Sequence, residues 1–195
     1  NPSVQLQAAR HAEENRDWRR AARDYAALVR TWPEAPEAVE AQADLAGIAE
    51  KRRKYAKAFD EYLYLLHFYG DKVDTLTPLE RMFKIANHYR GKGSEDRARR
   101  MFSTIAELAP QWTRTPEALV WVARLHRESK HLPEAIQVYD RVVQEYGGSD
   151  EASLAAAEAA FCRYRLALRY AHDETIALSA LSSFSIAMGR PQPPE

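Results

Sequence analysis

The chain has 195 residues with 28 basic and 28 acidic side chains, so its formal net charge is zero. That balance excludes a general nucleic-acid binder, which carries a basic excess. No apolar run approaches the length of about 18 residues that a membrane-spanning helix needs. Ala, Arg, Glu and Leu dominate while Gly is only 7 and Pro 10, which favours helix over sheet.

Apolar residues recur at helical spacing along the whole chain. They predict helices at residues 3–15, 17–31, 35–53, 55–69, 76–92, 94–109, 115–130, 132–146, 150–170 and 174–188. Several starts carry cap chemistry. Thr77-Pro78-Leu79-Glu80 reads as a capping box with proline at the first helical position. Thr115-Pro116-Glu117 has the same cap and proline, Ser149 precedes Asp150 and Glu151, and Asp173 precedes Glu174. The stretch Leu132 to Gly147 has the clearest beginning and end: Pro133 and Glu134 suit the first turn, and Gly147 and Gly148 stop it.

That last helix is one of several copies. Ala135, Tyr139, Val142, Tyr146, Gly147 share a frame with Ala21, Tyr25, Leu28, Trp32, Pro33, with Ala58, Tyr62, Leu65, Tyr69, Gly70, and with Ala98, Phe102, Ile105, Ala109, Pro110. The leading alanines are 37, 40 and 37 residues apart. Twelve residues before each stands another alanine: Ala9, Ala46, Ala86 and Ala123. Each unit is therefore a helix pair, with small residues where two backbones approach, and the sequence is a repeat array. The three extra residues of the middle step fall in the loop between Gly70 and Thr77. A fifth unit departs from the frame. Ala160 takes the small position, but the second column, Ala177, Leu181, Phe184, Met188 and Gly189, returns 17 residues later instead of 12. Its first helix or turn is thus expected to be longer, as suits a cap or a docking element.

The order of small residue, turn, then Ala-x3-aromatic-x2-aliphatic-x3-aromatic-Pro/Gly resembles the tetratricopeptide repeat, whose period is about 34. The resemblance implies an all-α right-handed superhelix of about five helix pairs, ten helices in all, with a period of 37–40. It would form a single domain over residues 1–190, in units at about 3–33, 35–70, 76–110, 115–147 and 150–189, with a tail at 191–195. The pieces LVRTWPEAP and VVQEYGGSDEA, together with ERMFKIANHYRGKG and DETIALSALSSF, look like the BamD-type lipoproteins of bacterial outer-membrane assembly. That likeness implies a scaffold for β-barrel insertion at the periplasmic face of the outer membrane. It would hold barrel-assembly subunits and unfolded client segments. The lipid-bearing N-terminal cysteine of that family is absent from this chain, which opens at Asn1 without Met, as a processed or trimmed form would; membrane contact is expected only through such an anchor. The alternative is another periplasmic or cytosolic tetratricopeptide adaptor, for example in envelope growth or division.

Recognition in stacked helix pairs is expected on the first helices. Counting from the small alanines, the groove-facing positions are Leu6, Arg10 and Glu13; Glu40, Ala43, Gly47 and Glu50; Glu80, Phe83, Asn87 and Arg90; Glu117, Val120, Arg124 and Arg127. Arg90, Arg124 and Arg127 form a candidate basic stripe near Phe83, Asn87 and Val120, fit for an acidic peptide or a free C-terminus; the plainer reading is a solvated face whose arginines pair with Glu117 and Glu128. A carboxylate clamp of the Lys/Asn kind fails, because Leu6, Ala43 and Phe83 stand where Lys is wanted and only Asn87 matches. Trp112 in the loop PQWTRTPEA is either an exposed interface residue beside Arg114 or a staple between units.

No catalytic constellation is legible, and no cofactor or metal is expected. Cys162 has no local His partner and reads as a small core residue. His126 and His131 are five apart, which is not the HExxH spacing of a zinc helix. GKGSED at 91–96 is a helix–helix turn and not a phosphate loop.

Overall fold

The computed structural model describes residues 1–169, together with Leu178 and Ser182. Among these residues the architecture is all-α. The helices are α1 (Pro2–Glu14), α2 (Trp18–Thr31), α3 (Pro36–Lys51), α4 (Tyr55–Tyr69), α5 (Leu76–Gly91), α6 (Glu95–Leu108), α7 (Thr115–Glu128), α8 (Leu132–Glu145) and α9 (Asp150–Arg169). Each boundary falls within two residues of the sequence expectation. At 20 residues, α9 is longer than the others, as the altered frame of the fifth unit required. The expected helix at 174–188, with Ala177, Leu181, Phe184, Met188 and Gly189, lies outside the described residues, as do Asp173 and the tail; Leu178 and Ser182 are helical.

The chain divides into two compact units, Asn1–His88 and Tyr89–Glu195. In the first, α1 packs on α2, α2 on α3 and α3 on α4. In the second, α6 packs on α7, α7 on α8 and α8 on α9. All eight repeat alanines, Ala9, Ala21, Ala46, Ala58, Ala86, Ala98, Ala123 and Ala135, are 0 % exposed. A methyl side chain lets neighbouring helices approach to about 8–10 Å, and a larger one would hold them apart. The aromatic column Tyr25, Tyr62, Phe102 and Tyr139 is buried beside them.

The backbone repeats as faithfully as the side chains. The turn inside each pair places one residue at positive φ: Arg16 (58°), Arg53 (56°), Gly93 (72°) and Lys130 (66°). The following amide reaches back five residues each time, as Asp17 N to Ala12 O, Lys54 N to Ala49 O, Ser94 N to Tyr89 O and His131 N to His126 O. This left-handed closure satisfies the last carbonyls of the first helix and turns the chain at one angle. The loops between pairs also share a staple: Tyr69 Oη donates to Pro33 O at 2.9 Å and Tyr146 Oη to Pro110 O at 3.0 Å.

Two cap assignments differ from expectation. Asp74 rather than Thr77 caps α5, accepting from Leu76 N at 3.1 Å and Thr77 N at 3.3 Å. Its two carboxylate oxygens reach both amides, and the Thr77 hydroxyl itself donates to Asp74 at 2.9 Å. Thr115 is likewise no cap: its buried hydroxyl donates to Ala109 O at 2.6 Å, closing the preceding loop. Ser149 does cap α9, accepting from Ala152 N.

Candidate interaction surface

In the first unit the exposed sides of α1, α3 and α5 carry a ladder of ion pairs. Arg10 meets Glu40 at 2.6 Å, Lys51 meets Glu13 at 2.8 Å and Arg81 meets Glu50 at 3.2 Å. The free oxygens of Glu13 and Glu50 accept from Tyr25 Oη at 2.9 Å and Tyr62 Oη at 3.0 Å. Burial and these neighbouring carboxylates push both phenols far above the usual tyrosine range. Asp44 stands half-buried beside the ladder, its pKa raised by burial and by Glu13. A cleft of about 270 Å³ lies over Gly47, lined also by Glu50, Lys51, Tyr55, Tyr62 and Arg81. An added Cβ at Gly47 would meet nothing within 4 Å.

Two expected groove positions of this unit, Phe83 and Leu6, are placed differently from expectation. Phe83 is 1 % exposed and belongs to the core. Asn87 donates to Phe83 O on its own helix at 3.2 Å. Leu6 is buried as well. Leu6 and Phe83 lie three residues before Ala9 and Ala86, on the side that packs inward, so counting along one helix assigned them to the wrong face; Asn87 is half-buried.

In the second unit Val120 is also corrected. It packs in the core with Leu119, Ala123, Tyr139 and Cys162. Trp112 is 8 % exposed, with the Arg114 guanidinium 5.8 Å from its ring and Arg114 paired to Glu117; of its two readings, the packing staple holds. Cys162 is fully buried, and burial pushes its thiol up. The arginines of the expected stripe remain at the surface around a residue the sequence reading passed over. Trp121 on α7 has Arg90 3.8 Å and Arg124 4.9 Å from its ring centroid, and its ring lies nearly parallel to buried Phe102 at 6.5 Å. The signal was available, because Trp121 precedes Arg124 by one helical turn. Arg127 forms an ion pair with Glu158 of α9.

The chemistry of this arrangement is recognition. An indole face attracts guanidinium groups, and a guanidinium held near it presents planar donors matched to a carboxylate. Arg124 has no carboxylate within 4 Å among the described residues. Those residues also contain no group of three or more His, Cys, Asp or Glu placed to hold a metal ion, and no helix long and apolar enough to cross a membrane.

A family model described as tetratricopeptide repeat matches residues 6–72 and 83–150. Among solved structures, the chain is similar to nearly identical TPR-like repeats from Podosopora anserina, described as a kinesin light chain. The identity is 14 %, over 97 % of each chain, with a TM-score of 0.45. It is also similar to a tetratricopeptide repeat protein from Parabacteroides merdae, at 18 % identity over 97 % of this chain and 74 % of that one, with a TM-score of 0.41. No curated protein matches the sequence.

Proposed function

The chain belongs to the tetratricopeptide repeat family, and from that premise we propose that it is a non-catalytic scaffold that holds partner proteins by peptide segments. Repeats of this family are protein–protein interaction modules, built by stacking helix pairs that leave one face of the first helices open. The observation that carries the reading is Trp121 beside Arg90 and Arg124, an aromatic of α7 with one guanidinium from α5 and one from α7. Trp and Arg are the residues most often found at the energetic centres of interfaces.

The finer form of the proposal is a BamD-like component of outer-membrane β-barrel assembly, acting at the periplasmic face of the outer membrane with barrel-assembly subunits as partners. Its support is the sequence likeness of the loops that close one pair and open the next. Affinity purification of the full-length protein from native membranes tests both levels. Recovery of a barrel-assembly subunit, lost in Arg124→Ala and Trp121→Ala, is the expected outcome. Recovery of partners unrelated to barrel assembly removes the finer reading and leaves the scaffold. Recovery of the same partners by both variants removes the α7 surface.

A further inference from the structure

The turn between α7 and α8 and the last turns of α9 enclose a cleft of about 370 Å³. It is lined by Arg127, Lys130, Leu132, Arg165, Leu168 and Arg169. Among the described residues of the lining four of six are cations and none is an acid. Arg127 is neutralised by Glu158. Lys130, Arg165 and Arg169 are exposed and have no carboxylate within 4 Å among the described residues. Three half-buried arginines elsewhere in this unit do find acids: Arg99 with Asp96 at 2.8 Å, Arg141 with Glu145 at 2.9 Å, Arg163 with Asp140 at 2.5 Å. The cleft thus gathers three unmatched cations, Lys130, Arg165 and Arg169, around one concavity.

The cleft is also apolar in part. Of its lining, Leu132 is buried, while Leu168 is 55 % exposed, near the carboxyl end of α9. Arg165 lies 6.0 Å from the Phe161 ring, and Phe161 is itself 39 % exposed. A concave site that combines leucine walls with three unmatched cations fits one kind of ligand better than others. An inorganic anion would leave the leucines wet, and a flat anionic bilayer would not enter a concavity.

We infer that this cleft binds an acidic peptide segment with one large apolar side chain, the side chain seated against Leu132 and Leu168 and its flanking carboxylates on Lys130, Arg165 and Arg169. The site is separate from the Trp121 surface and stands whether or not that surface binds a partner. Burying the apolar group supplies affinity, and the charges supply selection and association rate.

Fluorescence anisotropy with the full chain and a labelled Glu-Asp-Leu-Phe-Glu-Asp peptide tests it. Saturable binding is expected, weakened at least about tenfold by Arg165→Glu with Arg169→Glu. Leu168→Ser should weaken it about threefold or more, with far-ultraviolet circular dichroism unchanged in each variant. A peptide with Leu and Phe replaced by Ser, and one with Lys for each acid, should both bind poorly. Equal binding by the Ser peptide would overturn the proposal in favour of unspecific charge attraction. Binding to phosphatidylglycerol vesicles in preference to the peptide would assign the patch to a membrane surface and also overturn it. So would a dimer in sedimentation that dissociates in the Glu variants, or peptide binding gained only on Asp173→Asn with Glu174→Gln, which would give the cleft to a second copy or to the chain's own tail.

Discussion

The hydroxyl of Tyr25 donates to Glu13 Oε2, twelve residues upstream, at 2.9 Å. The next unit repeats the pair as Tyr62 to Glu50. In the later units the upstream position is Arg90 and then Arg127. Phe102 stands opposite the first, with no hydroxyl. Tyr139 stands opposite the second, and its buried hydroxyl has no hydrogen-bond partner among the described residues, because Arg127 pairs with Glu158 instead. One frame position thus has a satisfied and an unsatisfied version. Tyr25→Phe should cost about 1.5–3 kcal/mol, the worth of a hydrogen bond to a charged group. Tyr139→Phe should be neutral or stabilising by up to about 1 kcal/mol, since it removes an unpaired buried oxygen. Urea unfolding of both variants checks the contrast; equal losses would show that the hydroxyl partners do not matter.

Tyr139→Ala asks for the whole ring. Tyr139 is 0 % exposed and contacts the core that holds Ala106, Val120, Ala159 and Cys162. Its removal should cost about 3–5 kcal/mol. Amide exchange should rise in α7, α8 and α9, since each pair is stabilised by its neighbours. Unchanged unfolding would mean that the aromatic column is not the core of the repeat.

Among the described residues the turn inside each of four pairs needs a left-handed residue, and only the third supplies glycine. Arg53 holds φ at 56°, as an exposed residue. Arg53→Gly should stabilise the protein by about 0.5–1 kcal/mol by removing that strain. Gly93 sits at 72° with nothing within 4 Å of an added Cβ. Gly93→Ala should therefore destabilise by about 1 kcal/mol through backbone strain alone. Thermal unfolding with shifts of opposite sign is the expected result.

These turns explain why so much of the fold was legible. Helix spans, the alanine columns and the inserted loop before α5 follow from local spacing, which the sequence displays directly. The site was less legible because a first helix has two inner flanks. Phe83 and Val120 lie three residues before Ala86 and Ala123, and that offset lands on the side facing the adjoining helix. Periodicity along one helix cannot tell that flank from the open one. Trp121 was missed for the converse reason: an aromatic on an amphipathic helix reads as core until its neighbours Arg90 and Arg124 are seen around it. The cap at Asp74 was missed because Thr77 offered a more familiar pattern three residues downstream.

Asp44 should make the first unit pH-sensitive. Burial and the negative charge of Glu13, with a further contribution from Glu40, raise its pKa, while Tyr25 and Arg10 oppose the rise. Between its unfolded and its raised folded value the native state holds the proton more tightly. Stability therefore falls as pH rises through that window. Asp44→Asn should stabilise the protein at pH 7, and the gain should vanish at about pH 3, where the carboxyl is protonated in both states. A gain that persists at low pH would trace it to packing instead.

His126 runs the opposite way. It is half-buried, its Nδ1 has no hydrogen-bond partner among the described residues, and its ring meets that of His131 edge-on at 6.2 Å. Burial and the Arg99 charge from α6 lower its pKa; His131 adds to this, while Glu134 and Asp96 partly offset it. In the unfolded chain it titrates near 6.5. Below that pH the unfolded state gains a proton that the native state resists, so stability drops as pH falls from 6.5 toward the lowered native value. His126→Gln cannot take up that proton. Its stability relative to the parent should rise as the pH falls from about 7 to about 5. Parallel unfolding curves across that range would mean that His126 is solvated in its charged form.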